Sequence, residues 1–367
     1  MIIDCHAHVI ENWNDDCGHP DHATHLKYLQ RGLAFTVARS FSARDGSRVG
    51  TAELLDPDDR SWNGLKDVHL RIGRFGRIAF TVDGEERYIQ YMPVGMQTLE
   101  APPQLMLAQM AYVGVDHAVL QAGGIYGAMT SYNAYAQQRF PDRFTGLMNV
   151  DEATAGSPEM LAEVDRGVGL GLKGVYYGYE SFARHGYAWA MDDRRLDPFW
   201  ERLAAHGLVL CLEVNGAPSN DKAGYLRNMA SVARVLAKFP RIKCHLAMGI
   251  PVQFLSGGER WDIPDDLLAL YKRDDFHIEI MFPITWGGRW DYHYPEARPL
   301  IRDARNRFGA DKLIWGSDMP NVERFCTYAQ SLTYLTRYCD FLTGAEQDKI
   351  LGGNTARLYG IPPVTAA

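Results

Sequence analysis

Met-Ile-Ile-Asp-Cys-His-Ala-His-Val-Ile, residues 1 to 10, is the stretch on which the fold turns. Apolar residues precede Asp4 and follow His8 with no helical period, which predicts a strand buried inside the protein. Side chains two apart on a strand share a face. Asp4, His6 and His8 are therefore expected to project together, with Cys5, Ala7 and Val9 on the other side. Two imidazoles at that spacing can hold one metal ion, and the same pair can equally hydrogen-bond in a core. The rest of the chain has to decide between them.

From residue 101 onward, helical segments alternate with short apolar strands. Pro102 to Val113 reads as a helix before the strand Asp116 to Gln121, and Tyr132 to Phe140 as a helix before Phe144 to Val150. Pro158 to Val168 precedes Leu172 to Tyr177, Asp197 to His206 precedes Leu208 to Val214, and Gly224 to Phe239 precedes Ile242 to Ala247. Pro264 to Arg273 then leads to Phe276 to Met281, and Pro295 to Phe308 to Lys312 to Gly316. Counting the first strand there are eight, each later one preceded by a helix. That is the plan of a closed parallel (β/α)8 barrel, built from residues 1–10 and 101–367. Glu323 to Phe341 and Ala345 to Leu358 supply closing helices.

Residues 11–100 break the pattern. Arg77 to Val82 and Glu85 to Met92 flank Asp83-Gly84, the pair that favours a tight hairpin. The excursion is expected to form an inserted flap over the mouth of the barrel. It also carries Cys17, His19, His22 and His25, whose spacing fits no standard zinc site and which read as loop residues.

Barrel chemistry sits at the carboxyl ends of the strands. Polar residues that a packed core would not want recur there: His6 and His8 on strand one, Lys173 on strand four, Glu213 on strand five with Asn215 beyond it. His245 follows on strand six, Glu279 on strand seven and Asp318 after strand eight. Each alone has an ordinary explanation as a helix cap, a solvated acid or an ion-pair partner. Random placement would scatter them over both ends.

Composition narrows the function classes. In 367 residues, 46% are hydrophobic and 23% charged, which suits a soluble globular protein, and no apolar run is long enough to cross a bilayer. The net charge of -7 comes with no basic cluster to neutralise phosphates, so nucleic acid is not an expected partner. Six scattered cysteines without paired spacing fit reduced thiols in a cytoplasmic protein. No basic leader precedes the first strand, so secretion is not expected.

Four motifs carry a family resemblance: Asp-Cys-His-Ala-His at residue 4, Ile-Lys-Cys-His-Leu-Ala-Met-Gly around His245, Leu-Ile-Trp-Gly-Ser-Asp-Met-Pro around Asp318, and Ile-Leu-Gly-Gly-Asn-Thr-Ala-Arg-Leu-Tyr-Gly from Ile350. Together they resemble the amidohydrolase superfamily, in the branch of aminocarboxymuconate-semialdehyde decarboxylase and the resorcylate-type decarboxylases. The resemblance implies that His6, His8 and Asp318 bind a catalytic divalent metal and that His245 acts in proton transfer or as a further ligand. It also implies association into dimers or higher oligomers. One departure stands out: that branch usually presents a metal-binding histidine where Glu213 stands here. A carboxylate is a harder ligand and can bridge two ions.

Three readings follow. In the first, one zinc or manganese ion on His6, His8, Glu213 and Asp318 polarises a small carboxylate substrate, and His245 moves the proton in a non-oxidative decarboxylation, hydrolysis or hydration. Arg289 would hold a substrate carboxylate, with Trp286, Trp290, Tyr292 and His293 as a pocket wall. In the second, Glu213 bridges an iron or manganese pair, with His245 and Glu279 on the second ion, for oxygen chemistry. Lys173 enters here as a carbamylated bridge, or else simply pairs with Glu213. The third is a non-catalytic partner subunit, homo- or hetero-oligomeric, which predicts damaged ligands.

Overall fold

A computed structural model describes residues 1–59 and 61–362. Eight parallel strands form one sheet in sequence order: β1 (Ile3–Ala7), β2 (His117–Leu120), β3 (Phe144–Asn149), β4 (Gly174–Tyr177), β5 (Val209–Glu213), β6 (Lys243–Ala247), β7 (Phe276–Ile280) and β8 (Leu313–Trp315). A parallel bridge between Ala7 and Met319 joins the two ends, with the Asp318 N–H donating to His6 O at 2.7 Å and the His8 N–H to Met319 O at 2.8 Å. The sheet thus closes where the first and last motifs meet. Gly316 permits that approach, since a Cβ there would stand 2.7 Å from the His6 Cβ.

The strands are buried on both faces, which is why they read as continuous apolar runs rather than alternating ones. Ile3, Val119, Leu147, Val209 and Cys211 form an inner core with Leu358 and Tyr359 of the C-terminal helix Asn354–Tyr359. A larger shell packs the helices against the outside. The expected closing helix over 323–341 is divided: a single 3-10 turn, Asn321–Arg324, precedes the helix Tyr328–Tyr338, which starts at a Thr327–Gln330 capping box.

The chain leaves the barrel at Ile10 and returns at Ala101, and these two exchange backbone hydrogen bonds at 2.8 Å in both directions. Between them lie a helix, His22–Phe35, and a five-stranded antiparallel sheet ordered Arg48–Thr51, Arg39–Ser42, Glu85–Gln90, Arg77–Val82 and Arg71–Ile72. The hairpin falls at Asp83-Gly84, with φ of 51° and 79°. Two positive φ angles in a two-residue loop are what an Asp-Gly pair supplies at low cost. This excursion has its own core, including Trp13, Leu29, Phe80 and Ile89, which continues onto Tyr126 and Met129 beyond β2. All six cysteines are buried and unbridged, and no described helix is long and apolar enough to cross a membrane.

Candidate metal centre and its cavity

Strict alternation fails on β1. Its pairing with β2 is irregular between Asp4 and Ala7, and such an irregularity re-aims side chains. Asp4 does not join the histidines: its carboxylate accepts from the Ser317 N–H at 2.9 Å, the Ser317 hydroxyl and the Tyr328 hydroxyl at 2.8 Å. Cys5, expected on the other face, instead stands 3.6 Å from Glu279 and 3.8 Å from His245. His6 and His8 do converge. His8 Nε2 lies 3.0 Å and His6 Nε2 3.6 Å from Asp318 Oδ1.

Those three residues form a buried group whose ligand atoms all lie within 4.8 Å of one another. Burial holds the His8 pKa down despite its bond to Asp318, which favours a neutral imidazole, whereas burial is outweighed at His6 by Glu279 and Asp318, which raise it to about 9, so an ion binding there displaces the His6 proton. Burial would raise the Asp318 carboxyl, but the His8 hydrogen bond and the His6 charge outweigh it and keep it ionised. Asp318 also has φ of 63°, a conformation sparsely populated outside glycine and best tolerated by Asp and Asn. Its Oδ1 accepts further from Asn321 Nδ2 at 2.8 Å, and Asn321 donates on to the Tyr126 hydroxyl at 2.7 Å.

Glu279 sits behind this group. Its Oε1 accepts from Gln121 Nε2 at 3.0 Å and His245 Nε2 at 2.5 Å, its Oε2 from His6 Nδ1 at 3.0 Å and the Met248 N–H at 2.6 Å. Four donors fill the four acceptor positions of a carboxylate. Burial would push this carboxyl up, but the His6 and His245 charges prevail and hold it well below its usual range. The bond at Nδ1 leaves His6 Nε2 as the atom turned toward Asp318. A carboxylate behind a metal-binding imidazole does this in many metal sites.

The donor set therefore suits a divalent ion: two imidazole nitrogens and one carboxylate converge, with one imidazole already oriented from behind. Cys5, His245 and Glu279 form a second group whose ligand atoms also lie within 4.8 Å of one another. Each of its polar atoms already has a hydrogen-bond partner. His245 is fully buried and both ring nitrogens are engaged, Nε2 by Glu279 and Nδ1 by the Tyr359 hydroxyl at 2.7 Å.

The metal-binding group opens on a cavity of about 1340 Å³. Glu213 lines it at the end of β5, its Oε2 accepting from the Tyr176 hydroxyl, and burial raises its pKa. Trp286 and Arg289 line it too, with the guanidinium 5.0 Å from the Trp286 ring centre. His245, Glu279, Trp290, Tyr292 and His293 are not in its wall. Trp290 stacks on Trp286, while Tyr292 bonds Thr333 at 2.8 Å and His293 stacks on Tyr338 at 3.8 Å. Lys173 requires a correction. It is exposed and precedes β4, and its carbonyl accepts from the Val209 N–H at the start of β5. It therefore stands at the amino ends of the strands, opposite Glu213.

Cys17, His19, His22 and His25 form no ligand group among the described residues. His19 stacks on Tyr28 at 4.5 Å, and Cys17 bonds the Asn12 carbonyl at 3.5 Å. Sequence reasoning missed Gln121, Tyr126, Tyr176, Asn321 and Arg324, which lie in no metal motif; only the position of Asn321 and Arg324 just after Asp318 pointed to them.

Glu152, also on the cavity wall, gives a pH test. Burial raises its pKa from 4.5 to about 7, against the pull of Arg184 and with help from Glu180 and Asp151. The folded protein then binds more protons than the unfolded chain between those values, so stability falls as pH rises through the window. Glu152→Gln is expected to match the parent near pH 4 and to exceed it at pH 8 by at most about 3 kcal/mol. Denaturant midpoints at the two pH values check this. An equal difference at both would contradict it.

A family model described as amidohydrolase matches residues 3–361. L-fucono-1,5-lactonase of Burkholderia ambifaria is 25% identical over 182 residues, 47% of this chain and 56% of the lactonase; the chain thus spans about half the length of that curated relative. A probable 2-pyrone-4,6-dicarboxylic acid hydrolase from Acinetobacter baumannii, with citric acid bound, superimposes with a TM-score of 0.53 at 20% identity, over 71% of this chain and 90% of its own. A dihydroxybenzoic acid decarboxylase from Polaromonas, with bound manganese and 2-nitroresorcinol, gives 0.50 at 15% identity, over 70% and 85%. At these identities the two structures speak to the fold.

Proposed function

The chain belongs to the amidohydrolase family, and from that membership we propose that it is a metal-dependent enzyme that decarboxylates an organic acid without oxidation. The observation that carries the proposal is the convergence of His6, His8 and Asp318 at the carboxyl ends of β1 and β8, open to a cavity that also holds Glu213 and arginines. These three residues would hold a divalent zinc or manganese ion. When bound, that ion supplies positive charge that polarises the substrate's oxygens.

The remaining work belongs to the chain. Glu279 and Gln121 keep the His6 ring oriented, and because its acceptor positions are filled, Glu279 serves as an orienting group rather than a ligand. Arg289 and Arg324 offer guanidinium groups to a substrate carboxylate. Glu213, which lines the cavity at the end of β5 with its carboxylate held by the Tyr176 hydroxyl, is the proton carrier that faces the substrate. Its O–H proton goes to the carbon that loses CO2, the electron pair of the broken C–C bond stays on that carbon, and Glu213 regains a proton from water. His245, with both nitrogens occupied below the cavity, supports Glu279.

Hydrolysis of a lactone or ester is the second reading, favoured by the stretch similar to the lactonase. One panel separates them. Metal-loaded protein is incubated with hydroxybenzoic acids, unsaturated acids and lactones, while CO2 release and ring-opening are measured. CO2 release that stops on chelation and returns with zinc or manganese is expected. Ring-opening alone would establish hydrolysis, and turnover indifferent to chelation would contradict the metal proposal.

A further inference from the structure

Resting on the metal-site reading above, we infer that the substrate is an amphiphilic acid, with its carboxylate beside Arg324 and the metal ligands and an apolar body lying along a wall built largely by residues 11–100. Small-molecule pockets usually measure about 300–1,000 Å³. This cavity, at about 1340 Å³, is larger, and a single-ring acid would leave most of it to water. Its wall includes Phe35, Val37, Phe41 and Val94 from the excursion, and Phe325 from the segment after β8. Val37 is 55% exposed, Val94 62% and Phe325 38%. Apolar side chains left open together mark a binding surface. Because they share one cavity with His6, His8 and Asp318, whatever covers them and reaches the ligands is a molecule that enters that cavity.

Charge fixes the head group. Arg166 and Arg184, also on the cavity, are neutralised by Glu163 and by Asp151 with Glu180. Arg39, Arg289 and Arg324 form no ion pair among the described residues, and of these Arg324 is the one tied to a metal-binding residue. Its Nε donates to Asn321 O at 3.1 Å, and its guanidinium lies 5.7 Å from the Tyr91 ring centre. Asn321 in turn bonds Asp318, and Tyr126 packs on His8 at 4.5 Å. An unneutralised guanidinium joined through Asn321 to the metal-binding residue Asp318 suits a carboxylate.

The test is calorimetric titration of metal-loaded full-length protein with hexanoate, octanoate and decanoate, with metal content measured on each sample. Kd is expected to fall about threefold or more per added methylene, as burial of each CH2 requires. The double replacement Val37→Asp with Val94→Asp is expected to flatten that series while hexanoate still binds. Arg324→Gln is expected to weaken all three acids about tenfold and leave the slope unchanged. A flat series in the parent, a slope unaltered in the double variant, or no effect of Arg324→Gln would overturn the inference. A steep series in protein that retains no metal would uphold the apolar wall and sink the metal reading; a flat series in metal-replete protein would do the reverse.

Discussion

Asp318→Asn is expected to fold normally and to lose its metal. Asparagine tolerates the positive φ at this position, and its carbonyl oxygen can still accept from His8 and Asn321 as Oδ1 does now. What disappears is the negative charge that offsets a divalent ion. Changing groups merely behind a ligand costs about 10–100-fold in metal affinity, so loss of the charged ligand itself should exceed about 100-fold. Turnover should fall with occupancy. Competition against a chromophoric chelator measures the affinity, and parental metal binding by Asp318→Asn would exclude the site.

Glu279→Ala is expected to be the most destabilising single change in the centre. It strands four N–H donors, Gln121 Nε2, His245 Nε2, His6 Nδ1 and the Met248 N–H, and the Cys5 thiol with them. Removing one member of a buried ionic pair costs about 3–5 kcal/mol, which would appear as a lowered denaturant midpoint at unchanged slope. The sign with pH follows from its depressed pKa. A lowered carboxylate stabilises the fold above its unfolded value of 4.5 and less as pH falls below it. The difference between Glu279→Ala and the parent should therefore be full at pH 7 and shrink in acid. Glu279→Gln, which keeps the volume, separates charge from packing: a stable variant with weakened metal binding supports the orienting role, and parental metal affinity in it would argue against that role.

The barrel was legible because buried parallel strands announce themselves as apolar runs between helical segments, and eight such runs leave few other architectures. The ends of those runs were less so. Lys173 stands beside an apolar stretch, yet hydrophobicity alone does not say at which end a strand begins, and pairing starts at Gly174. The histidine pair was visible from its spacing. Asp4 was misassigned because spacing assumes an unbroken pleat, and β1 is irregular there.

The carboxylate anchor and the polar relay depend on contacts between distant residues, Gln121 with Glu279 and Tyr126 with Asn321. No local pattern encodes these. In residues 11–100, Asp83-Gly84 revealed one hairpin. The flanking strands Arg48–Thr51 and Arg71–Ile72 are too short and polar to show an alternation.

The measurement to make first is the divalent metal content of freshly purified protein and of Asp318→Asn, before and after reconstitution with zinc, manganese or iron. About one ion per chain in the parent and a near-empty variant is the expected result. A parent that takes up none of these ions, or a variant that holds as much as the parent, would contradict a metal centre built on His6, His8 and Asp318.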